Sequence, residues 1–185
     1  MTEAGFGSDM GAEKFMHIKA ATSGKSPDCV VMNVTIRSMK LHGGAFGSRG
    51  GYRPSKEELE TENVEAVATG AATNLDRHIR NMAGFGVPVI VSINKFASDT
   101  DAEIKALSDA AHASGAKAVT ITEVHSKGGE GGEDLAKAVV KAVQDHVAAG
   151  RPFTPLFVND APVMEKVEAI ATRMYKAKEV VVETA

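Results

Sequence analysis

Three segments of the chain combine basic or aromatic side chains with small or polar residues, and each follows an apolar run. They are residues 37–44, 94–99 and 125–132. In open sheets of parallel strands, ligands bind at the carboxyl ends of the strands, where such segments meet. If the three apolar runs are strands of one sheet, we expect these segments to form a pocket for a flat, anionic ligand.

The second segment, Asn94-Lys-Phe-Ala-Ser-Asp99, places an aromatic residue soon after the apolar run. Its opening resembles the base-reading loop of GTP-binding proteins, but the position of the guanine-reading aspartate is Ala97, which argues against guanine recognition. Phe96 is instead suited to stacking on a ligand ring, an interaction of about 1–3 kcal/mol per nucleic-acid base. The alternative is that Phe96 folds onto the hydrophobic core, and the sequence leaves both interpretations open.

The third segment contains the glycine-rich run Lys127-Gly-Gly-Glu-Gly-Gly132, which precedes a predicted helix. Backbone amides of such a loop, together with a helix N-terminus, can hold a phosphate or a carboxylate. The same composition is equally compatible with a flexible connection between a strand and a helix. Both interpretations stand at this point.

Several other residues that could carry chemistry are better explained without it. Gly24-Lys-Ser26 matches the end of a phosphate-loop motif, but position 19 is lysine where that motif has glycine, and the triplet precedes a strand instead of following one. The six histidines are scattered, so no metal site is predicted. Cys29 lies inside an apolar run and is expected to be an inert, buried thiol. The residues by themselves identify no catalytic group.

The composition is typical of a single globular domain, and the single cysteine fits a reducing compartment. The 185 residues are 43% hydrophobic and 24% charged, and the net charge of −3 gives no reason to expect binding to nucleic acid or to anionic membranes. One cysteine rules out an internal disulfide. No apolar run approaches the roughly 20 residues that span a bilayer. We therefore predict a cytoplasmic protein that binds small molecules.

Apolar runs of strand length alternate with helical patterns along the chain. Strands are predicted at 29–36, 87–93 and 118–124, with a short β-like tail at 179–183 and a surface loop at 43–51. Helices are predicted at 8–21, 55–82, 100–114, 131–149 and 160–175, and capping boxes mark the starts at Ser55 and Thr100. This alternation predicts one α/β unit over residues 1–185, with a mostly parallel sheet and flanking helices.

Four motifs resemble those of the formate–tetrahydrofolate ligases, also called 10-formyltetrahydrofolate synthetases. The segment TEAGFGSDMGAEKF (residues 2–15) is similar to their TEAGFGADxGAEKF, and VTIRSMKLHGG (34–44) to their ATVRALKMHGG. FGVPVIVSIN (85–94) resembles FGVPVVVAIN, and KGGEGG (127–132) is the same in both. The order and spacing hold over essentially the whole chain, apart from a few extra residues in the 43–53 loop.

The resemblance implies part of a P-loop NTPase-like ligase fold and a site for a flat ring. In the family, aromatic side chains frame the ring of the nucleotide or folate, and by motif these positions are Phe6, Phe96 and His125. Ala97 adjoins them, and Ile121 corresponds to an apolar wall residue. The family has Phe-Pro where this chain has Phe96-Ala97, and Trp where it has His125. We therefore expect ring binding that is weaker or differently selective.

The resemblance further implies an ATP-dependent ligase that uses formate and tetrahydrofolate, with Mg²⁺ on the ATP. In the family, the phosphate loop lies before the segment that corresponds to Thr2, so we expect this chain to be an incomplete enzyme, inactive alone, from a split gene or a truncated reading frame. The alternative is a non-catalytic descendant that acts as a binding or interaction module. A sheet without its phosphate-loop strand has an unpaired edge, which predicts self-association or pairing with a missing N-terminal portion.

Overall fold

A sheet of three parallel strands forms the centre of the structure. The computed structural model describes residues 1–5, 7–47 and 53–182. Within these residues the strands are β1 (Val30–Val34), β2 (Val89–Asn94) and β3 (Ala118–Thr122), hydrogen-bonded in the order β1-β2-β3. Ile93 of β2 is aligned with both Val34 and Ile121. The predicted α/β class with a parallel sheet and flanking helices is confirmed.

Helices connect and flank the strands. In the described ranges they are α1 (residues 11–23), α2 (Ile36–His42), α3 (Lys56–Glu60), α4 (residues 64–83), α5 (Asp101–Ala113), α6 (Val124–Lys127), α7 (Glu133–Ala148) and α8 (residues 163–174). Three of these contain a turn of π-type hydrogen bonding, at Phe15–Ala20, Ala71–Leu75 and Ile170–Met174. A 3-10 segment, Gly128–Gly132, joins α6 to α7. Of the helices described, none is long and apolar enough to cross a membrane.

The central strand β2 is covered on both faces. Val89, Val91 and Ile93 belong to the main hydrophobic core, which also contains side chains of α1, α4 and α5. Ile90 and Ser92 are equally buried but point to the opposite face, because side chains alternate along a strand. There α7 packs on β2 and β3. Coverage on both faces explains why the β2 sequence is apolar almost throughout.

The outer strand β1 is covered on one face only. Val30, Met32 and Val34 pack against the core, whereas Val31, between them, is 43% exposed. In the described part of the chain, β1 has a strand partner on one side, which is β2. The same holds for β3 on the other side of the sheet, so the edge expected from a missing phosphate-loop strand stays a prediction.

The helix starts predicted from capping boxes are confirmed. The Ser55 side chain accepts a hydrogen bond from the Glu58 N–H, and the Thr100 side chain accepts one from the Glu103 N–H. In both boxes the glutamate accepts the N–H of the capping residue in return. Gly115, with a φ of +100°, follows the end of α5 in the left-handed conformation that glycine tolerates.

The prediction of one helix over residues 55–82 is wrong, because the chain leaves the helical conformation after α3 and re-enters it at α4. The new helix is capped by the Asn63 side chain. The interruption has a tertiary cause, since the carbonyls of Leu59 and Thr61 accept hydrogen bonds from the buried ammonium group of Lys40. The Asn63 N–H donates to Glu103. Local sequence patterns do not report such distant partners.

Two further boundaries differ from the prediction. Residues 36–42, predicted as a strand end and a loop, form α2, because Thr35 and Ser38 make a capping box directly after β1. Residues 179–182 of the predicted β-like tail form no strand, and its last position, 183, lies outside the described residues. The predicted surface loop is described only over residues 43–47.

Candidate functional site

The three predicted ligand-facing segments begin at the same end of the sheet, where the carboxyl ends of β1, β2 and β3 lie side by side. This follows because the three strands are parallel and adjacent. The first segment continues as α2, the second forms a turn after β2, and the third forms α6 and the 3-10 segment Gly128–Gly132. The Lys95 N–H donates to the Thr122 carbonyl over 3.0 Å, which joins the ends of β2 and β3. Side chains that could bind a ligand, from separate parts of the sequence, thus lie at the carboxyl ends of adjacent strands.

Phe96 lies in the turn after β2 and is not part of the hydrophobic core. The residue is 37% exposed, and the ring does not belong to the main hydrophobic core cluster. The Asp99 carboxylate accepts the Phe96 N–H at 2.8 Å, and the Phe96 carbonyl accepts the Asp99 N–H at 3.0 Å. These two hydrogen bonds close the turn and fix the backbone that carries the ring.

Arg37, in the first turn of α2, covers part of the Phe96 ring. The guanidinium carbon lies 4.1 Å from the ring centroid, which is within the range of a cation–π contact. The polar contacts of the guanidinium are long for hydrogen bonds, with Ser98 Oγ at 3.5 Å and Glu60 Oε1 at 3.8 Å from its terminal Nη2 atom. The sequence placed Arg37 in a ligand-facing segment but gave no signal of its contact with Phe96.

A buried ion pair lies next to these segments. Lys40 Nζ is 2.7 Å from Glu103 Oε1, and the two side chains are 1% and 0% exposed. Burial alone raises the pKa of the Glu103 carboxyl, but hydrogen bonds from Lys40, Asn63 and Thr100 outweigh it, so that the pKa lies below its ordinary value. A charged pair with every donor satisfied, and excluded from water, is a structural element and has no room for a ligand.

The Asp99 carboxyl also has a shifted pKa. Burial raises the pKa of Asp99 above its ordinary value, and the hydrogen bond from the Phe96 N–H opposes this effect. Its Oδ1 atom is buried and has no hydrogen-bond partner among the described residues. Asp99 therefore holds the turn at a cost in desolvation, as expected for a residue that fixes the backbone of a site.

The other predicted ring-site residues lie at or beyond the ends of β2 and β3. Ala97 is exposed beside Phe96. Ile121, the penultimate residue of β3, is 45% exposed, and His125, in α6, is exposed. The structure thus places Phe96, Ala97, Ile121 and His125 near one sheet edge with solvent-accessible side chains. Their role in binding a ring stays a prediction.

The glycine-rich run after β3 has a structural explanation. A Cβ added at Gly131 would lie 2.6 Å from the backbone carbonyl of Glu123, and the Glu123 N–H donates to the Gly131 carbonyl at 3.0 Å. The following helix, α7, carries Glu133 and Asp134 in its first turn, and their charges disfavour an anion at that helix start. These contacts support the interpretation of a strand-to-helix connection, held closely against the strand end.

Phe6, the remaining predicted ring-site residue, lies outside the described residues. Its neighbours are held by contacts that the sequence did not indicate. Ser8 Oγ is hydrogen-bonded to His78 Nδ1 at 2.6 Å, and the Tyr175 hydroxyl donates to the Asp9 carbonyl at 3.2 Å. Burial is the main reason that the pKa of His78 lies below its ordinary value, which favours the neutral ring. The segment before α1 is therefore attached to α4 and to the residue that follows α8.

A metal site or a reactive thiol would need features that the described residues do not show. Among them, no group of three or more His, Cys, Asp or Glu side chains is placed to bind a metal ion. Burial, with a smaller contribution from the charge of Asp28, raises the pKa of the Cys29 thiol to about 11. A thiol with such a pKa is almost entirely protonated at neutral pH and is a poor nucleophile.

Comparisons with known proteins agree with the family that the motifs indicate. The sequence profile of the family "Formate--tetrahydrofolate ligase" matches residues 1–185. The chain is 45% identical over 181 residues to a formate–tetrahydrofolate ligase of Dinoroseobacter shibae, covering 98% of this chain. It is 45% identical over 185 residues to that of Granulibacter bethesdensis, covering 100% of this chain. In both cases the match spans only 30% of the relative. The chain therefore belongs to the formate–tetrahydrofolate ligase family.

Proposed function

We propose that the chain supplies the ring-binding part of an ATP-dependent formate–tetrahydrofolate ligase. Such an enzyme converts formate, tetrahydrofolate and ATP into 10-formyltetrahydrofolate, ADP and phosphate. Formate is a poor acyl donor, so the γ-phosphoryl group of ATP is first transferred to it, and the phosphate then leaves when the folate amine attacks the carbonyl. The observation that carries the proposal is the exposed ring of Phe96, fixed at the strand ends where nucleotide-binding α/β proteins bind their ligands.

The proposed ring site combines side chains from two strand ends and from the N-terminal segment. Phe96 stacks on the flat ring of the nucleotide or folate, and Ala97 allows close approach beside it. Ile121 supplies apolar surface, since almost half of its side chain is exposed. His125 presents a second, smaller ring, and Phe6 is the third aromatic position. Fixing the ring before reaction converts part of the binding energy into orientation.

The residues that bind the ATP phosphates are proposed to lie in another portion of the ligase. The sequence of this chain has no phosphate loop, and the acidic first turn of α7 disfavours an anion. The described residues also offer no carboxylate cluster suited to Mg²⁺. Formate activation requires both the triphosphate and its metal to be held in place. We therefore propose that the chain binds ring ligands without catalysing the reaction alone.

Pairing with that other portion is proposed at the open side of the sheet. The outer edge of β1 is unpaired in the described chain, and Val31 on that strand is 43% exposed. On α7, Val140 and Val147 are 56% and 44% exposed. Unpaired strand edges and exposed apolar side chains mark surfaces that associate with other chains. Without the other portion, the same surface is expected to promote self-association.

A non-catalytic binding module is the second candidate. The observation that favours it is the replacement of the family's Trp and Pro by His125 and Ala97, both of which are exposed. Such changes reduce the stacking area without disturbing the core, so a descendant that had lost the chemistry would tolerate them. The two candidates differ in whether addition of the other ligase portion restores catalysis.

Equilibrium binding of ADP and of a folate analogue to the purified chain tests the ring site. We expect Phe96→Leu to weaken the binding of both by about 10-fold or more, because the aromatic stack is lost. His125→Trp should strengthen binding by enlarging the stacking surface. Leu41→Ala, which shortens an apolar side chain on α2 that is more exposed than Phe96, serves as the control and should change nothing. Unchanged affinities in Phe96→Leu would refute the assignment.

A further inference from the structure

Arg37 occupies a rigid position directly after β1. It lies in the first turn of α2, whose start is fixed by the reciprocal hydrogen bonds of Thr35 and Ser38. Three residues later, Lys40 anchors the same helix through its buried ion pair with Glu103. The backbone below Arg37 is therefore held on both sides, which fixes the point at which its side chain leaves α2.

The guanidinium group packs on an aromatic ring and makes no short ion pair with a carboxylate. Its carbon lies 4.1 Å from the Phe96 ring centroid, whereas the nearest carboxylate oxygen, on Glu60, is 3.8 Å from one terminal nitrogen, beyond good hydrogen-bond length. Its Nε is buried without a hydrogen-bond partner among the described residues. In contrast, Lys40 is fully paired. The positive charge beside Phe96 is thus only weakly compensated.

We infer that Arg37 is a positioning and specificity-determining residue of the ring site. It backs one face of Phe96, which leaves the opposite face of that ring for the flat ring of the ligand. It also places a positive charge behind the stack that favours ligands bearing phosphate or carboxylate groups. This inference rests on the proposed function, because it takes Phe96 to be the stacking residue.

Two physical effects follow from this arrangement. A guanidinium group on one face of an aromatic ring is attracted by the ring quadrupole and restricts the ring orientation. A ligand ring on the opposite face would lie roughly one stacking distance further, about 7–8 Å from the charge, and this is comparable with the Debye length at physiological salt. The charge therefore still acts on an anionic ligand without touching it.

Arg37 could instead have a purely structural role, in which it only joins α2 to the turn after β2. Ligands with and without a phosphate group distinguish this role from the inferred one. We would compare ADP with adenosine, which has the same ring and no phosphate, in the wild type, Arg37→Met and Arg37→Lys. Arg80→Met is the matched control, because Arg80 is an exposed arginine on α4 that is paired with Asp76. It removes the same charge from a helix that does not contribute to the ring site.

We expect Arg37→Met to weaken ADP binding by about 3- to 10-fold and adenosine binding by less. Arg37→Lys keeps the charge but loses the planar stack, so it should retain most of the preference for ADP while binding adenosine as Arg37→Met does. Arg80→Met should match the wild type. In NMR spectra of the free chain, the side-chain protons of Arg37 should be shifted upfield by the Phe96 ring current, and Phe96→Leu should abolish that shift.

Each outcome decides the inference. If the wild type binds ADP and Arg37→Met binds it equally well, Arg37 has no such role and the proposed ring site stands. If Arg80→Met weakens ADP as much as Arg37→Met, the effect is one of net charge and the inference fails. Absence of the ring-current shift contradicts the geometry itself. If the wild type binds neither ligand, the proposed function fails, and the inference fails with it.

Discussion

Lys40 and Glu103 form an ion pair from which water is excluded, with 2.7 Å between Nζ and Oε1. Lys40 also donates to the carbonyls of Leu59 and Thr61, and Glu103 accepts the N–H groups of Asn63 and Thr100. One pair of side chains thereby joins α2, the break between α3 and α4, and the start of α5. These elements adjoin the strand ends that carry the proposed ring site.

Removing one partner of this pair should strongly destabilise the fold. Lys40→Met leaves the Glu103 carboxylate buried without its cation, and we expect the free energy of unfolding to fall by about 3–5 kcal/mol. Lys105→Met is the control, because its pair with Asp109 is exposed, and such pairs contribute about 1 kcal/mol or less. Urea unfolding measures both. Similar losses in the two variants would mean that the buried pair does not organise these helices.

The same pair predicts how stability changes in acid. Because the pKa of Glu103 is lowered in the folded state, its contribution is fully present above the ordinary value of 4.5 and is lost as the pH falls through the folded-state value. Glu103→Gln should be less stable at pH 7 and should lose less stability on acidification. Asp99, whose pKa is raised by burial, has the opposite sign, so Asp99→Asn should make the acid loss steeper. Unfolding free energies between pH 7 and pH 3 test both signs.

The glycine-rich run offers a direct test of its structural role. Gly131→Ala would place a Cβ 2.6 Å from the Glu123 backbone and should cost about 1–3 kcal/mol of stability. Gly129→Ala is the matched control, since a Cβ there meets no atom within 4 Å, and its effect should be small. Thermal or urea unfolding distinguishes the two. If both variants are as stable as the wild type but lose ADP binding, the run is a phosphate cradle after all.

Cys29 should react slowly with alkylating reagents. With a pKa of about 11 in place of 9.0, the thiolate fraction near pH 8 is about 100-fold smaller than for an ordinary thiol. The alkylation rate of the folded chain should rise about tenfold per pH unit up to pH 10, without a plateau. The urea-unfolded chain should react at the ordinary rate. Fast, pH-independent labelling of the folded chain near pH 7 would show an activated thiol instead.

Local patterns predicted the elements whose causes are local. The capping boxes at Ser55 and Thr100 marked true helix starts, since both partners of each box are three residues apart. The apolar run at 87–93 indicated a strand, and the structure confirms it as the buried strand β2. The motifs likewise identified the family, because they preserve residue types in order along the chain.

Two features that the sequence did not predict depend on distant partners, whereas α2 was missed although its capping box, Thr35 and Ser38, is local. The break before Asn63 exists because Lys40 and Glu103 capture backbone groups there, and no pattern around residues 59–63 reveals those partners. The stacking of Arg37 on Phe96 joins the ends of two different strands. Such contacts form only when the parallel sheet brings the carboxyl ends of its strands together, and the sequence alone does not show them.

We propose that this chain binds the ring of its ligand but does not hold the phosphates. The most direct test is a coupled measurement on the purified chain: ADP binding, and formation of 10-formyltetrahydrofolate from formate, tetrahydrofolate and ATP with Mg²⁺. We predict measurable ADP binding that depends on Phe96 and no product above background. Clear ATP- and formate-dependent turnover by the chain alone would contradict this account.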